Sequence, residues 1–243
     1  MPVLSAPPAP TPVLAPAPPE RPRLTPRLVA RRAGKAVAIC AIGYVALWLL
    51  AVLGTLGVSF LAKQQYSSGE RVAGINHFLQ VDDRLWRGSA PGPDGYEELA
   101  DRGVATVIDL RAEDLSERQL ALPGEAGLDV VRMPIRDGQT PTSEEVALFT
   151  ATVESSPGPV FVHCGAGVGR TGSITAAYLV RTDQADSGEA ALRTLAVGPP
   201  SLEQVYYVLT ADPEEANQPP SAVRAVSRLM DAPRRINASL SLF

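Results

Sequence analysis

The sequence predicts an α/β domain, a central and mainly parallel sheet flanked by helices, preceded by one transmembrane helix. Three observations lead there. Short β-rich apolar runs alternate with helical stretches between about residues 76 and 212, which is the pattern of strand–helix units on a parallel sheet. Cap and turn residues punctuate the junctions between them. Upstream, residues 36–62 contain no Asp, Glu, Lys or Arg.

The elements follow in order. Residues 1–35 are rich in Pro and Ala and cannot bury enough apolar surface to offset the entropy of ordering them, so a disordered tail is expected. At about 1.5 Å per residue, the run Ala36–Ala62 extends roughly 40 Å, enough to cross a hydrocarbon core of about 30 Å. A cleaved signal peptide fits less well, because its apolar region covers only about 7–15 residues and Phe60-Leu61-Ala62 is a poor small-x-small site. Six basic residues, from Arg21 to Lys35, precede the run, and only Lys63 and Arg71 follow it at comparable distance. The positive-inside rule then sets the N-terminus in the cytoplasm and the C-terminal domain outside it.

A linker over 63–75 leads to a domain over 76–212. Phe78–Val81 and Arg84–Arg87 around Asp82-Asp83 read as a hairpin. Tyr96–Arg102 reads as a helix closed by Gly103, Val104–Leu110 as a buried strand, and Asp129–Met133 as another. Thr142 and Glu145 make a T-x-x-E capping box that opens a helix to about Ser155. Val160–His163 is a short apolar strand, with a helix from about Arg170. Ser187–Val197 and Ser201–Thr210 are two more helices, split by Pro199-Pro200. The tail over 213–243 is mostly polar, with a short helix expected near Ala222–Met230.

Composition excludes some functions. The chain has 243 residues, 45% of them apolar, and a formal charge of −4. That leaves no global basic field, so nucleic acid is not an expected partner. Cys40, Cys164, His77 and His163 are the only cysteines and histidines, and they lack the spacing of a metal site. No metal or cofactor is expected.

The informative segment is Val162-His163-Cys164-Gly165-Ala166-Gly167-Val168-Gly169-Arg170-Thr171-Gly172, between a predicted strand and a predicted helix. Gly165, Gly167 and Gly169 let the backbone curl so that successive N–H groups, Ala166 and Val168 included, point inward. The helix N-terminus adds partial positive charge. Such a cradle suits a tetrahedral dianion, and Arg170 can close it with a two-pronged fork. The same dipoles favour a thiolate at Cys164, a nucleophile suited to two-step displacement at phosphorus. Thr171 is placed to hydrogen-bond the sulfur. His163 is expected to orient the loop through a backbone hydrogen bond.

The leaving group needs a proton, best supplied from a loop that can reach across the pocket. Pro134–Pro141 follows a predicted strand, carries loop punctuation and offers one carboxylate, Asp137. Asp109 and Asp114, near Arg111, are its rivals. Two other phosphate-loop patterns nearly fit. Gly167–Gly172 satisfies G-x-G-x-x-G but lacks a following strand ending in an acid, and the ATP-type loop lacks its first glycine and its lysine.

His163 to Gly172, His-Cys-x-Ala-Gly-x-Gly-Arg-Thr-Gly, resembles the signature of protein tyrosine phosphatases, with Gly165 where serine is usual. The domain length and Leu85–Pro91, Leu-Trp-Arg-Gly-Ser-Ala-Pro, resemble the compact dual-specificity-like members, bacterial ones included. The resemblance implies a metal-independent phosphomonoester hydrolysis through a cysteinyl-phosphate. Cys164 would be the nucleophile, Arg170 the phosphate binder, Thr171 the hydroxyl assisting the second step and Asp137 the acid. Relatives acting on inositol phosphates tend to carry lysines in the loop, and positions 165–169 carry none. A phosphorylated protein or small phosphomonoester is therefore the expected partner. A phosphoinositide or inositol phosphate substrate, and a catalytically silent phosphate-binding module, are the alternatives.

Overall fold

The computed structural model describes residues 26–215 and 217–240, and side chains over 30–215 and 217–232. The expected disorder of residues 1–25 lies outside the described part. Two units are distinguished, 1–47 and 48–243. Helix α1, Pro26–Ala62, runs through the boundary. It begins ten residues before the uncharged run, so residues 26–35, expected to be disordered, are helical. The Pro/Ala-rich composition gives way there to Arg, Leu, Val and Ala, and Pro26 suits a helix start because the first turn needs no N–H from it. Residues 30–62 make one helix long and apolar enough to cross a membrane.

In the second unit, six strands form one sheet: β1 (Glu70–Val72), β2 (Ile75–Gln80), β3 (Leu85–Ser89), β4 (Thr106–Arg111), β5 (Asp129–Ile135) and β6 (Val160–Cys164), ordered β1-β2-β3-β6-β4-β5. The first two pairings are antiparallel, and β3, β6, β4 and β5 run parallel. The sheet is thus mixed, with a parallel majority. The expected hairpin is β2–β3, where Asp82 Oδ1 accepts from the N–H groups of Arg84 and Leu85 and sets the turn. Strand β1 lies inside the stretch expected as linker.

The helices are α2 (Pro93–Asp101), α3 (Glu117–Glu125), α4 (Ser143–Ser155), α5 (Gly169–Arg181), α6 (Ser187–Val197), α7 (Leu202–Leu209) and α8 (Ser221–Leu240). The capping box forms as expected: Glu145 N–H donates to Thr142 Oγ1 at 3.2 Å and Thr142 N–H to Glu145 Oε2 at 2.7 Å. Alternation along β6 separates the two faces. Val160, Val162 and Cys164 join a core with Ile108, Phe149 and Ile174 of β4, α4 and α5. Phe161 joins Phe78, Trp86, Tyr96 and Leu99 on the other face. A third cluster, including Val146, Ala190 and Tyr207, fills the space among α4, α6 and α7. Because β4, β5 and β6 run parallel, their C-terminal ends open on the same edge of the sheet, where open α/β sheets seat ligands.

Candidate active site

Three strand ends supply the chemistry. Cys164 closes β6 and Val168 precedes the first turn of α5, so the loop 165–168 bends directly into a helix N-terminus. Among the described residues, no carbonyl accepts from the N–H of Ala166, Gly167 or Val168. These donors are left for a bound anion.

Close contacts dictate the glycines. Gly167 has φ +74°, and a Cβ there would come within 2.4 Å of the Gly88 carbonyl carbon, so only glycine fits where the loop crosses β3. At Gly169 a Cβ would approach Gln204 Oε1 at 2.5 Å. Gly165 is different: its Cβ would have only Arg170 Nη2 nearby, at 3.9 Å, so the serine usual at this position would fit. Buried Arg87 pins the loop from behind, donating from Nη2 to Gly167 O at 2.8 Å, and Ala90 N–H donates to Gly165 O at 3.0 Å. Burial lowers the Arg87 pKa to about 10, which leaves it a cation at neutral pH.

Arg170 is 3% exposed and held from two directions. Its Nη1 and Nη2 form a bidentate pair with Glu113 Oε2 and Oε1, at 2.9 and 2.7 Å. Nη1 also donates to Ile135 O at 3.0 Å, at the end of β5. Its Nε has no partner among the described residues. Glu113 thus occupies the terminal edge of the fork. The guanidinium, opposed by partial burial, holds the Glu113 carboxyl below the usual range.

The pocket has a volume of about 200 Å³. Cys164, Ala166, Val168, Gly169 and Arg170 form its floor, Asp137 and Gly138 one wall, and Pro199–Ser201, Gln204 and Asp231 the other. A water occupies about 30 Å³ of liquid, so there is room for a phosphate and the start of its leaving group. Asp137 stands on the loop after β5, with its carboxylate 3.6 Å from Arg170 Nη2 and a side chain 68% exposed. Asp109 is not at this site: it is buried behind the sheet edge, taking Arg111 Nε and Nη2 at 3.0 and 2.9 Å. Asp114 does not line the pocket either.

His163 lies on the opposite face of β6 from Cys164, fully buried and outside the pocket. Its Nδ1 lies 3.2 Å from Cys164 O, which can only accept, so Nδ1 carries the proton and Nε2 accepts from Tyr96 Oη at 3.4 Å. Burial lowers its pKa to about 4. The 3.9 Å approach to Asp109 is therefore not an ion pair at neutral pH. Thr171 is buried with no hydrogen-bond partner for Oγ1 among the described residues, so the expected bond to the sulfur is not formed.

Sequence reasoning missed Glu113, Arg87, Ser201 and Gln204. Ser201 Oγ donates to Gly138 O at 3.1 Å and Gln204 Nε2 to Gln139 O at 3.0 Å, tying the Asp137 loop to α7. Glu113 left one usable signal: it follows a strand expected to end beside the cysteine loop.

Comparison with known proteins agrees with this geometry. Residues 83–184 match the family model "Polymorphic toxin system, DSP-PTPase phosphatase". This segment is similar to the compact, dual-specificity-like phosphatases of the cysteine-dependent protein tyrosine phosphatase superfamily. The phosphatase domain is similar to tyrosine-protein phosphatase cdc-14 of Caenorhabditis elegans, 33% identical over 40% of this chain and 13% of that protein. It is also similar to the dual specificity protein phosphatase CDC14C of Homo sapiens, 32% identical over 37% of this chain and 20% of that protein. The chain therefore spans a fifth or less of these two relatives. A solved structure, Tk-PTP in its active form, aligns with 56% of this chain and 96% of its own at 23% identity, with a TM-score of 0.48.

Proposed function

We propose that the phosphatase domain hydrolyses phosphomonoesters through a cysteinyl-phosphate. In the first step the Cys164 thiolate attacks phosphorus, a sulfur–phosphorus bond forms, and the ester oxygen leaves with a proton from the Asp137 carboxyl. In the second, water attacks phosphorus and gives a proton to the Asp137 carboxylate. The sulfur–phosphorus bond then breaks, returning the thiolate and releasing phosphate. The loop amides and Arg170 hold the equatorial oxygens in both steps. The observation that carries this reading is one 200 Å³ pocket lined by Cys164, Arg170 and Asp137, with the acid brought to the cysteine loop from a separate segment.

The test uses the full chain in detergent with an aryl phosphate and no added metal. Turnover is expected, and Cys164→Ser should abolish it while retaining vanadate-competed binding. Turnover that survives Cys164→Ser would exclude the mechanism. Vanadate-sensitive binding without turnover on any monoester would favour a silent phosphate-binding module.

A further inference from the structure

A second cavity, of about 260 Å³, shares Pro199, Pro200, Ser201 and Asp231 with the phosphate pocket. Its far wall is helix α1, through Trp48, Ala51, Val52, Thr55 and Leu56. These positions, three and four apart, form one stripe of the helix. The stripe continues to Ser59, whose Oγ donates to Leu195 O at 2.6 Å, and Trp48 Nε1 donates to Met230 O at 3.2 Å. Both bonds fasten this segment of α1 to the phosphatase domain. Asp231 is the one charged side chain on the cavity wall.

The other faces of the same segment are bare hydrocarbon. Leu50, Leu53, Phe60 and Leu61 are between 61 and 71% exposed, in a helix whose uncharged run fits a bilayer by length. The second cavity is thus bounded by a helix whose opposite face is exposed hydrocarbon suited to an apolar phase. From the adjacency of the two cavities, which share Pro199, Pro200, Ser201 and Asp231 as lining, we infer that the catalytic cleft takes a membrane lipid ending in a single phosphomonoester. Its phosphate sits over Cys164, and the glycerol-proximal part of a hydrocarbon chain lies between α1 and the 199–202 segment. This inference rests on the catalytic reading proposed above. A head group with several phosphates is disfavoured, because among the described residues Arg170 is the one basic side chain lining the phosphate pocket, while Asp137 and Asp231 line it too.

The full chain is assayed in phosphatidylcholine vesicles containing dioleoyl phosphatidic acid, with glycerol 3-phosphate, an aryl phosphate and a phosphotyrosyl peptide as comparisons. The lipid should exceed glycerol 3-phosphate, which has the same head group without hydrocarbon, by about tenfold or more in kcat/KM. Val52→Trp, which fills the groove, should lower the ratio of lipid to aryl phosphate turnover by about tenfold. Leu50→Trp, on the exposed face, should leave that ratio unchanged. Aryl phosphate turnover reports whether each variant is folded, and the wild-type comparison needs no variant. Three results overturn the lipid assignment alone: lipid no better than glycerol 3-phosphate, a better phosphotyrosyl peptide, or an unmoved ratio in a folded Val52→Trp. Failure on every substrate, aryl phosphate included, removes the catalytic reading and this inference with it.

Discussion

Glu113 and Arg170 divide the work of one guanidinium. The carboxylate aligns the fork from its terminal edge, and the Ile135 carbonyl fixes its tilt. Glu113→Gln removes a charge-assisted pair and should lower kcat/KM by about tenfold, mainly through KM, with Cys164 alkylation unimpaired. Arg170→Lys presents a point charge where a planar fork is needed, and a loss of about 10²-fold or more in kcat is expected. Asp137→Asn should cost about 10²–10⁴-fold on an alkyl phosphate and much less on p-nitrophenyl phosphate, whose leaving group needs no proton, and it should erase the alkaline limb of the pH–rate profile. His163 bears on stability. Its folded pKa, about 4, lies below the ordinary value of 6.5, so the unfolded chain binds the extra proton between those two limits. Stability is complete above pH 6.5 and falls as the pH drops toward 4. A thermal-unfolding midpoint that declines over that interval, and declines less in His163→Gln, would agree; identical slopes would refute it. At this scale the sequence was legible where the chemistry is contiguous. Cys164 and Arg170 share one loop, whereas Glu113 reaches Arg170 from another strand end, and one-dimensional spacing does not encode which strands are neighbours.

The segments around the cleft are braced against one another. Ser201 and Gln204, at the start of α7, hold the carbonyls of Gly138 and Gln139, so the acid-bearing loop is anchored just past Asp137. The cysteine loop leans on β3, where Gly167 passes against Gly88. Gly167→Ala meets both a clash with backbone and an unfavourable positive φ; we expect phosphate binding to be lost, measured by vanadate titration, even if the fold survives. Periodic helices such as α6 and α7 were readable because caps and prolines mark both ends. Two elements were not. Helix α3 carries Pro123, which reads as a breaker, yet its Ser116–Gln119 capping box secures the N-terminal turn. Strand β1 is three residues of edge pairing, too short for any period to register.

Across the whole chain, we propose from the excess of basic residues before the uncharged run that the domain after α1 lies outside the cytoplasm. Protease added to intact spheroplasts of an expressing bacterium should digest it, and complete protection would reverse the topology. The helix that the sequence reads as a simple anchor also packs on the domain that follows it, because composition reveals how apolar a helix is but not which side finds a partner. Ala62 and Ser59 are each 3% exposed, against Leu195 and Ala196 of α6. A soluble fragment cut at the first strand would therefore strip a hydroxyl from the Leu195 carbonyl and bare the side chains beneath it. Such truncations should self-associate and melt earlier than the intact chain, so low activity in them would measure a missing lid on α6 rather than a poor catalyst.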